Sequence, residues 1–181
     1  MATNDTVVSA FDSSSTVPFW LNGKEVTTSS TFEVISPLNH KTLYRSSSAS
    51  GEDVQKAIVS AQEAYKSWSL TRPGHRRDIF LRAAEEFKKR RDELRQYSYN
   101  ETGAAAAMFG FEYAAAIDLC VSIAGLIQAA SDSTAPLVNE GSAVVVKEPY
   151  GVVLAIAPWN APHILGVRAC LHPLAMSDST I

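Results

Sequence analysis

Hydrophobic and polar positions change their spacing along the chain, and each change marks an element. Residues 1–17 are rich in Ser, Thr and Asp without periodicity, which predicts a disordered or loosely attached leader, with order beginning near Phe19. Phe19-Trp20-Leu21 and Lys24-Glu25-Val26 flank Asn22-Gly23, a pair that tolerates positive φ and so predicts a hairpin. Thr31 to Ile35 and Thr42 to Tyr44 read as short strands around a Pro37/Asn39 turn. Ser50-Gly51-Glu52-Asp53 forms a capping box, and Val54, Ala57, Ile58, Ala61, Ala64, Tyr65 and Trp68 then recur at helical spacing. Pro73 opens a second helical pattern with Ile79, Phe80, Ala83, Ala84, Phe87 and Leu94 on one face. Asn100-Glu101-Thr102-Gly103 interrupts it, and an alanine-rich helix is expected from there to about Ala130.

The pattern then shifts to strands. After a Ser/Asp/Pro loop, Ala143 to Lys147 is a β-branched strand, Pro149-Tyr150-Gly151 a turn, and Val152 to Ala157 an apolar run expected to be buried on both faces. Pro162 stands where a helix starts, and Ile164, Val167, Cys170, Leu171 and Leu174 extend it to near Met176, before Ser179 to Ile181 begin another strand. Strand, helix and strand in this order predict an α/β fold built around a βαβ unit. The expected divisions are a leader over 1–17, strands and helices over 18–142, a strand and turn over 143–150, and the start of a dinucleotide-binding domain over 151–181.

Composition narrows the function classes. A chain of 181 residues that is 46% apolar and 19% charged, with a formal charge of −3, has a soluble protein's balance and lacks the basic excess of a nucleic-acid binder. Nine of its 16 Lys and Arg residues lie between Arg72 and Arg95, but Asp78, Glu85, Glu86, Asp92 and Glu93 are interleaved with them, which predicts a solvated face with i,i+4 pairs. No nucleic-acid or membrane partner is expected. The apolar stretch from Ala104 to Ala130 carries Glu112 and Asp118, so it reads as a packed helix rather than a bilayer span. The first basic residue is Lys24, and Asp5 and Asp12 precede it, which fits neither a signal peptide nor a transit peptide and predicts a cytoplasmic protein. Two cysteines, Cys120 and Cys170, make neither a disulfide framework nor a metal cluster.

The chemistry concentrates at Pro158-Trp159-Asn160, where the apolar strand gives way to a helix. Ligands of open α/β sheets bind beyond the carboxyl ends of strands, beside helix N-termini that attract anions. Asn160 has amide donors able to stabilise negative charge on a carbonyl oxygen, and Trp159 offers a flat apolar wall. The residues alone favour the plainer reading, in which Asn160 caps the helix and Trp159 fills the core.

Lys147-Glu148-Pro149-Tyr150-Gly151-Val152-Val153 and Pro158-Trp159-Asn160-Ala161-Pro162, with Gly166-Val167-Arg168 and Pro173-Leu174-Ala175 after them, resemble the NAD(P)-dependent aldehyde dehydrogenase superfamily. Leu21-Asn22-Gly23-Lys24, Ile35-Ser36-Pro37, the Ala-rich helix before Trp68, Arg76-Arg77 and Glu101-Thr102-Gly103 stand in the family's order. Ala157 to Val167 is most similar to members acting on aromatic aldehydes such as salicylaldehyde or vanillin. The resemblance implies NAD- or NADP-dependent oxidation of an aldehyde to a carboxylic acid, with Asn160 as oxyanion donor and Ile156, Ala157, Pro158 and Trp159 on the cofactor's side. It also places Ala143 to Lys147 in an oligomerisation region.

The family's cysteine nucleophile, its glutamate base, a ribose-contacting lysine and a glycine turn have no counterpart before Ile181. Cys120 and Cys170 read as buried small hydrophobes, and His163 and His172 receive no catalytic role. Where the family carries Gly-Asn, this chain has Ser177-Asp178, which predicts an altered turn. The expectation is therefore the incomplete N-terminal portion of an aldehyde dehydrogenase fold: a truncated chain that does not catalyse the family reaction alone, or a binding module that associates with a full-length relative. With a single parallel strand that lacks neighbours to cover both faces and pair its edges, it is also expected to aggregate when expressed alone.

Overall fold

The structure, a computed structural model, describes residues 13–129, 133–136 and 142–181. Most of the expected leader, residues 1–12, lies outside the described residues, as does most of the Ser/Asp/Pro loop. The leader's end is corrected: Thr16 and Val17 form a strand, β1 (Thr16–Val17), paired in parallel with Arg45 and Ser46. Its backbone groups find partners in a sheet edge, so a polar composition alone does not keep this stretch unstructured.

Next come β2 (Phe19–Leu21) and β3 (Lys24–Val26), the expected hairpin, with Asn22 at φ 51° and Gly23 at φ 69° as its turn. β4 (Thr31–Ile35) and β5 (Thr42–Ser47) are antiparallel, and with β1 they give a three-stranded sheet in the order β1-β5-β4. The buried Tyr44 of β5 donates its hydroxyl to the Glu101 carboxylate, tying this sheet to the helical layer. Burial, followed by that carboxylate, holds the phenol well above its usual range.

The capping box opens α1 (Gly51–Trp68): Ser50 Oγ accepts from the Asp53 amide at 3.2 Å, and Asp53 Oδ2 accepts from the Ser50 amide at 2.9 Å. The second apolar pattern, continuous in sequence through Leu94, divides into α2 (Pro73–Lys89) and α3 (Arg91–Tyr97) at Arg90, whose φ is −100° and ψ 18°. Lys88 and Lys89 sit in the last turn of α2, Asp92 and Glu93 in the first turn of α3, so each helix end meets the charge its dipole favours. The charged face pairs at i,i+3 spacing instead of i,i+4: Glu85–Lys88, Glu86–Lys89 and Arg90–Glu93 are each 2.7 Å apart and solvent-screened. A π-helical turn over Ser98–Thr102 comes next, closed by Gly103 in the left-handed conformation at φ 69°.

The core is helix on helix. In α4 (Ala106–Ala129), Phe109, Glu112, Ala116, Cys120, Ile123 and Ile127 are buried at three- and four-residue spacing. That stripe packs against α2 on one side and α5 (Pro162–Ala175) on the other. Phe80, Ile123, Ala124, Ile127 and Ala175 form the central cluster, where burying each large side chain contributes about 1.5–3 kcal/mol. By length and composition α4 is apolar enough to cross a membrane, yet one face of it packs against protein and includes the carboxylate of Glu112.

β6 (Ser133–Pro136) and β7 (Ser142–Val145) pair antiparallel, and β7 ends before Lys147. β8 (Val152–Val153), α5 and β9 (Ser179–Thr180) form the expected βαβ unit, with β8 and β9 parallel. The expectation of a strand buried on both faces through Ala157 is corrected: pairing fades after the bond from the Ala155 amide to the Ile181 carbonyl, and Leu154 and Ile156 are exposed. Among the described residues β9 is the only strand paired with β8.

The turn from α5 into β9 keeps its left-handed geometry without glycine. Ser177 has φ 77°, and the next residue, the buried Asp178, accepts the Gly151 amide on Oδ1 at 2.7 Å, joining the starts of β8 and β9. A left-handed non-glycine residue costs roughly 1–2 kcal/mol, partly offset in a Ser→Gly change by the looser unfolded chain. Ser177→Gly is expected to stabilise the protein by about 0.5–1 kcal/mol, read as a higher urea midpoint at an unchanged m-value.

Candidate functional site

The loop between β8 and α5 holds every residue singled out for chemistry. Ile156 is 79% exposed and Trp159 77%, and Ala157, Pro158 and Asn160 are exposed beside them. Trp159 therefore does not fill the core. Nor does Asn160 cap α5: the N-cap is Ala161, with no side-chain cap bond, and Pro162 takes the first helical position. Both residues are left facing outward at the carboxyl end of a parallel strand, the place where α/β sheets bind ligands.

The start of α5 already holds a protein carboxylate. Because Pro162 has no N–H, the first amide needing an acceptor belongs to His163, and it donates to Oε1 of Glu112 from α4. Glu112 is only 1% exposed, so its carboxylate already occupies the positive end of the helix dipole. The His163 ring is fixed as well. Its Nε2 lies 3.0 Å from Ser98 Oγ, and its plane meets the rings of Phe87 and Phe109 edge-on, with centroids 6.4 and 6.0 Å away. His163 is a packing residue, as its isolation in the sequence implied.

On the other side, Ile156 and Pro158 form one wall of a groove of about 460 Å³, completed by Leu165, Arg168, Ala169 and His172 of α5. Those four were not identified as groove residues from sequence, although their three- and four-residue spacing places them on one helical face. His172 Nδ1 donates to the Arg168 carbonyl at 3.0 Å, so this imidazole is engaged with its own helix. The groove is aliphatic with one guanidinium and one imidazole at its rim, chemistry that suits a flat organic molecule with a polar substituent.

Neither thiol is placed to attack an aldehyde. Cys120 is fully buried in α4 and Cys170 half-buried in α5, and burial pushes both thiols above their usual range, against the thiolate a nucleophile requires. Among the described residues no group of three His, Cys, Asp or Glu side chains is positioned to hold a metal ion.

The profile of the aldehyde dehydrogenase family matches residues 24–181. The chain belongs to this family. It is 40% identical over 168 residues to a vanillin dehydrogenase of Pseudomonas sp. (strain HR199 / DSM 7063), covering 91% of this chain and 35% of that protein. It is 29% identical over 152 residues to a salicylaldehyde dehydrogenase of Pseudomonas putida, covering 83% of this chain and 32% of the relative. The crystal structure of a salicylaldehyde dehydrogenase from Pseudomonas putida G7 complexed with salicylaldehyde superposes with a TM-score of 0.85 at 27% identity, over 91% of this chain and 34% of the other. The chain thus spans about a third of the length of the relatives it matches. The fold is an incomplete α/β aldehyde dehydrogenase fold with open sheets, as its sequence implied.

Both thiols are expected to resist alkylation in the native state. Mass-spectrometric labelling with iodoacetamide at about pH 7.5 should modify Cys120 at least roughly tenfold more slowly in the native protein than in the urea-unfolded chain. Because burial raises each thiol pKa, the native labelling rate should keep rising with pH beyond the ordinary thiol value of about 8.5.

Proposed function

We propose that these residues serve the NAD- or NADP-dependent oxidation of an aromatic aldehyde to its carboxylic acid, contributing the oxyanion donor and part of the cofactor wall. The observation that carries this reading is the exposed Ile156–Asn160 loop at the carboxyl end of β8, in a chain whose relatives include vanillin and salicylaldehyde dehydrogenases. Asn160 donates from its amide to the oxygen that becomes negative when a nucleophile adds to the aldehyde carbon. Ile156, Ala157, Pro158 and Trp159 would hold the nicotinamide cofactor, and their exposed apolar surface fits a flat ring. When bound, that cofactor supplies the hydride acceptor. The protein acts in the cytoplasm.

The 181 residues do not complete the reaction alone, because their only two thiols are sequestered in helices. NADH absorbance with purified protein and a panel of aromatic aldehydes should show no turnover above background. Joined in frame to the remaining two-thirds of the vanillin dehydrogenase, the segment should support vanillin oxidation. Asn160→Ala in that chimera should lower kcat about 100- to 1,000-fold with a smaller change in KM. An unchanged kcat would remove Asn160 from the mechanism.

A second reading is favoured by β7 and the residue after it, where Val144, Val145 and Val146 are all exposed. Such an edge can add to the sheet of a longer relative, making the chain a binding module. Co-expression of the tagged chain with a full-length homologue should then yield a complex on size exclusion that Val144→Lys abolishes. Elution as separate species would exclude it.

A further inference from the structure

We infer that Glu112 is the positioning residue of the Pro158–Asn160 loop: a buried carboxylate on α4 that holds the start of α5, and with it the loop, against the helical core. This rests on the reading of Asn160 as an oxyanion donor for its functional meaning, but the geometry stands apart from it.

α5 lacks every local means of satisfying its first turn. Its N-cap is an alanine, its first position a proline, and Asn160 is exposed to solvent without a cap bond to the helix. The Leu165 amide reaches the Ala161 carbonyl at 3.0 Å, which leaves the His163 and Ile164 amides of the first turn needing acceptors from outside the helix. Glu112 supplies one from a different helix, 51 residues earlier in the chain. A negative carboxylate also favours that helix end through the dipole, more strongly in a buried setting than at a surface. Ser98 and the Phe87 and Phe109 rings grip the same residue through its side chain. His163 is three residues after Asn160, so the exposed loop is tethered at its downstream end by contacts to α2, α4 and the π-helical turn.

This arrangement also explains a buried acid in the middle of an apolar helix. No Lys or Arg pairs with Glu112 among the ion pairs of the described residues, and its Oε1 accepts the His163 backbone N–H. A core position would otherwise hold an apolar residue at lower desolvation cost.

Amide hydrogen exchange by NMR on the 181-residue protein tests the assignment, with no cofactor or aldehyde present, so its result is independent of whether Asn160 stabilises an oxyanion. In Glu112→Ala, the His163, Ile164 and Leu165 amides should exchange at least roughly tenfold faster, and acrylamide quenching of Trp159 should change in a Trp20→Phe/Trp68→Phe background. The Phe80 and Ile123 amides should keep their protection to within about threefold. Glu112→Gln keeps an acceptor oxygen without the charge and should restore most of the protection at His163. Equal loss across α2, α4 and α5 in the Gln variant would make Glu112 a general core residue and overturn the proposal. Unchanged exchange at His163 in the Ala variant would also overturn it. Should Glu112→Ala not fold, the Gln variant alone decides: near-wild-type protection at His163 in a folded protein supports the assignment, and failure of Gln to fold overturns it.

Discussion

Everything around the Ile156–Asn160 loop depends on the packing of α5 onto α4. The loop has little structure of its own, since β8 is two residues long and pairs on one side with β9. Its geometry is imposed by the helix downstream. α5 is seated by apolar contacts at its C-terminal half, where Ala175 joins Phe80, Ile123 and Ile127, and by Glu112 at its N-terminus. An apolar stripe alone lets a helix rotate or slide by small amounts, whereas one directional bond to a first-turn amide fixes its rotation. Close packing of the core and one buried polar contact therefore share the task of aiming an otherwise exposed segment.

The same organisation explains why charge and exposure look unusual near the loop. A helix N-terminus beyond a parallel strand is ordinarily an anion site, and here a protein carboxylate holds that place. What remains outward is apolar: Ile156, Trp159 and, before β8, the exposed edge of Val144 to Val146. Exposed apolar surface of this extent marks sites of contact with a ligand or another polypeptide. Both readings of the function draw on it, the loop for a cofactor and the valine edge for a second chain.

Membership of the aldehyde dehydrogenase family accounts for the order of elements. Ser177 takes a backbone conformation suited to glycine, and Asp178 beside it has a side chain that closes a bond to Gly151. The strain at one residue is accompanied by a contact at the next, and β8 and β9 pair in parallel.

Local rules made much of this legible in advance. The Asn22-Gly23 hairpin, the Ser50 capping box, Pro162 at the start of α5 and the βαβ order all depend on interactions within a few residues, and the sequence by itself determined them. The existence of α4 was readable from its run of apolar residues, but its buried face was not, because the helix is apolar nearly all round. Tertiary structure decided the rest. The pairing of Thr16 and Val17 with β5 and the partner of Glu112 each depend on a residue far away in the chain, and the division at Arg90, the length of β8 and the groove face of α5 show only in the folded chain. Periodicity says that a position is buried but not what it meets, and a lone buried acid gains its meaning only when the amide it accepts is brought to it from 51 residues away.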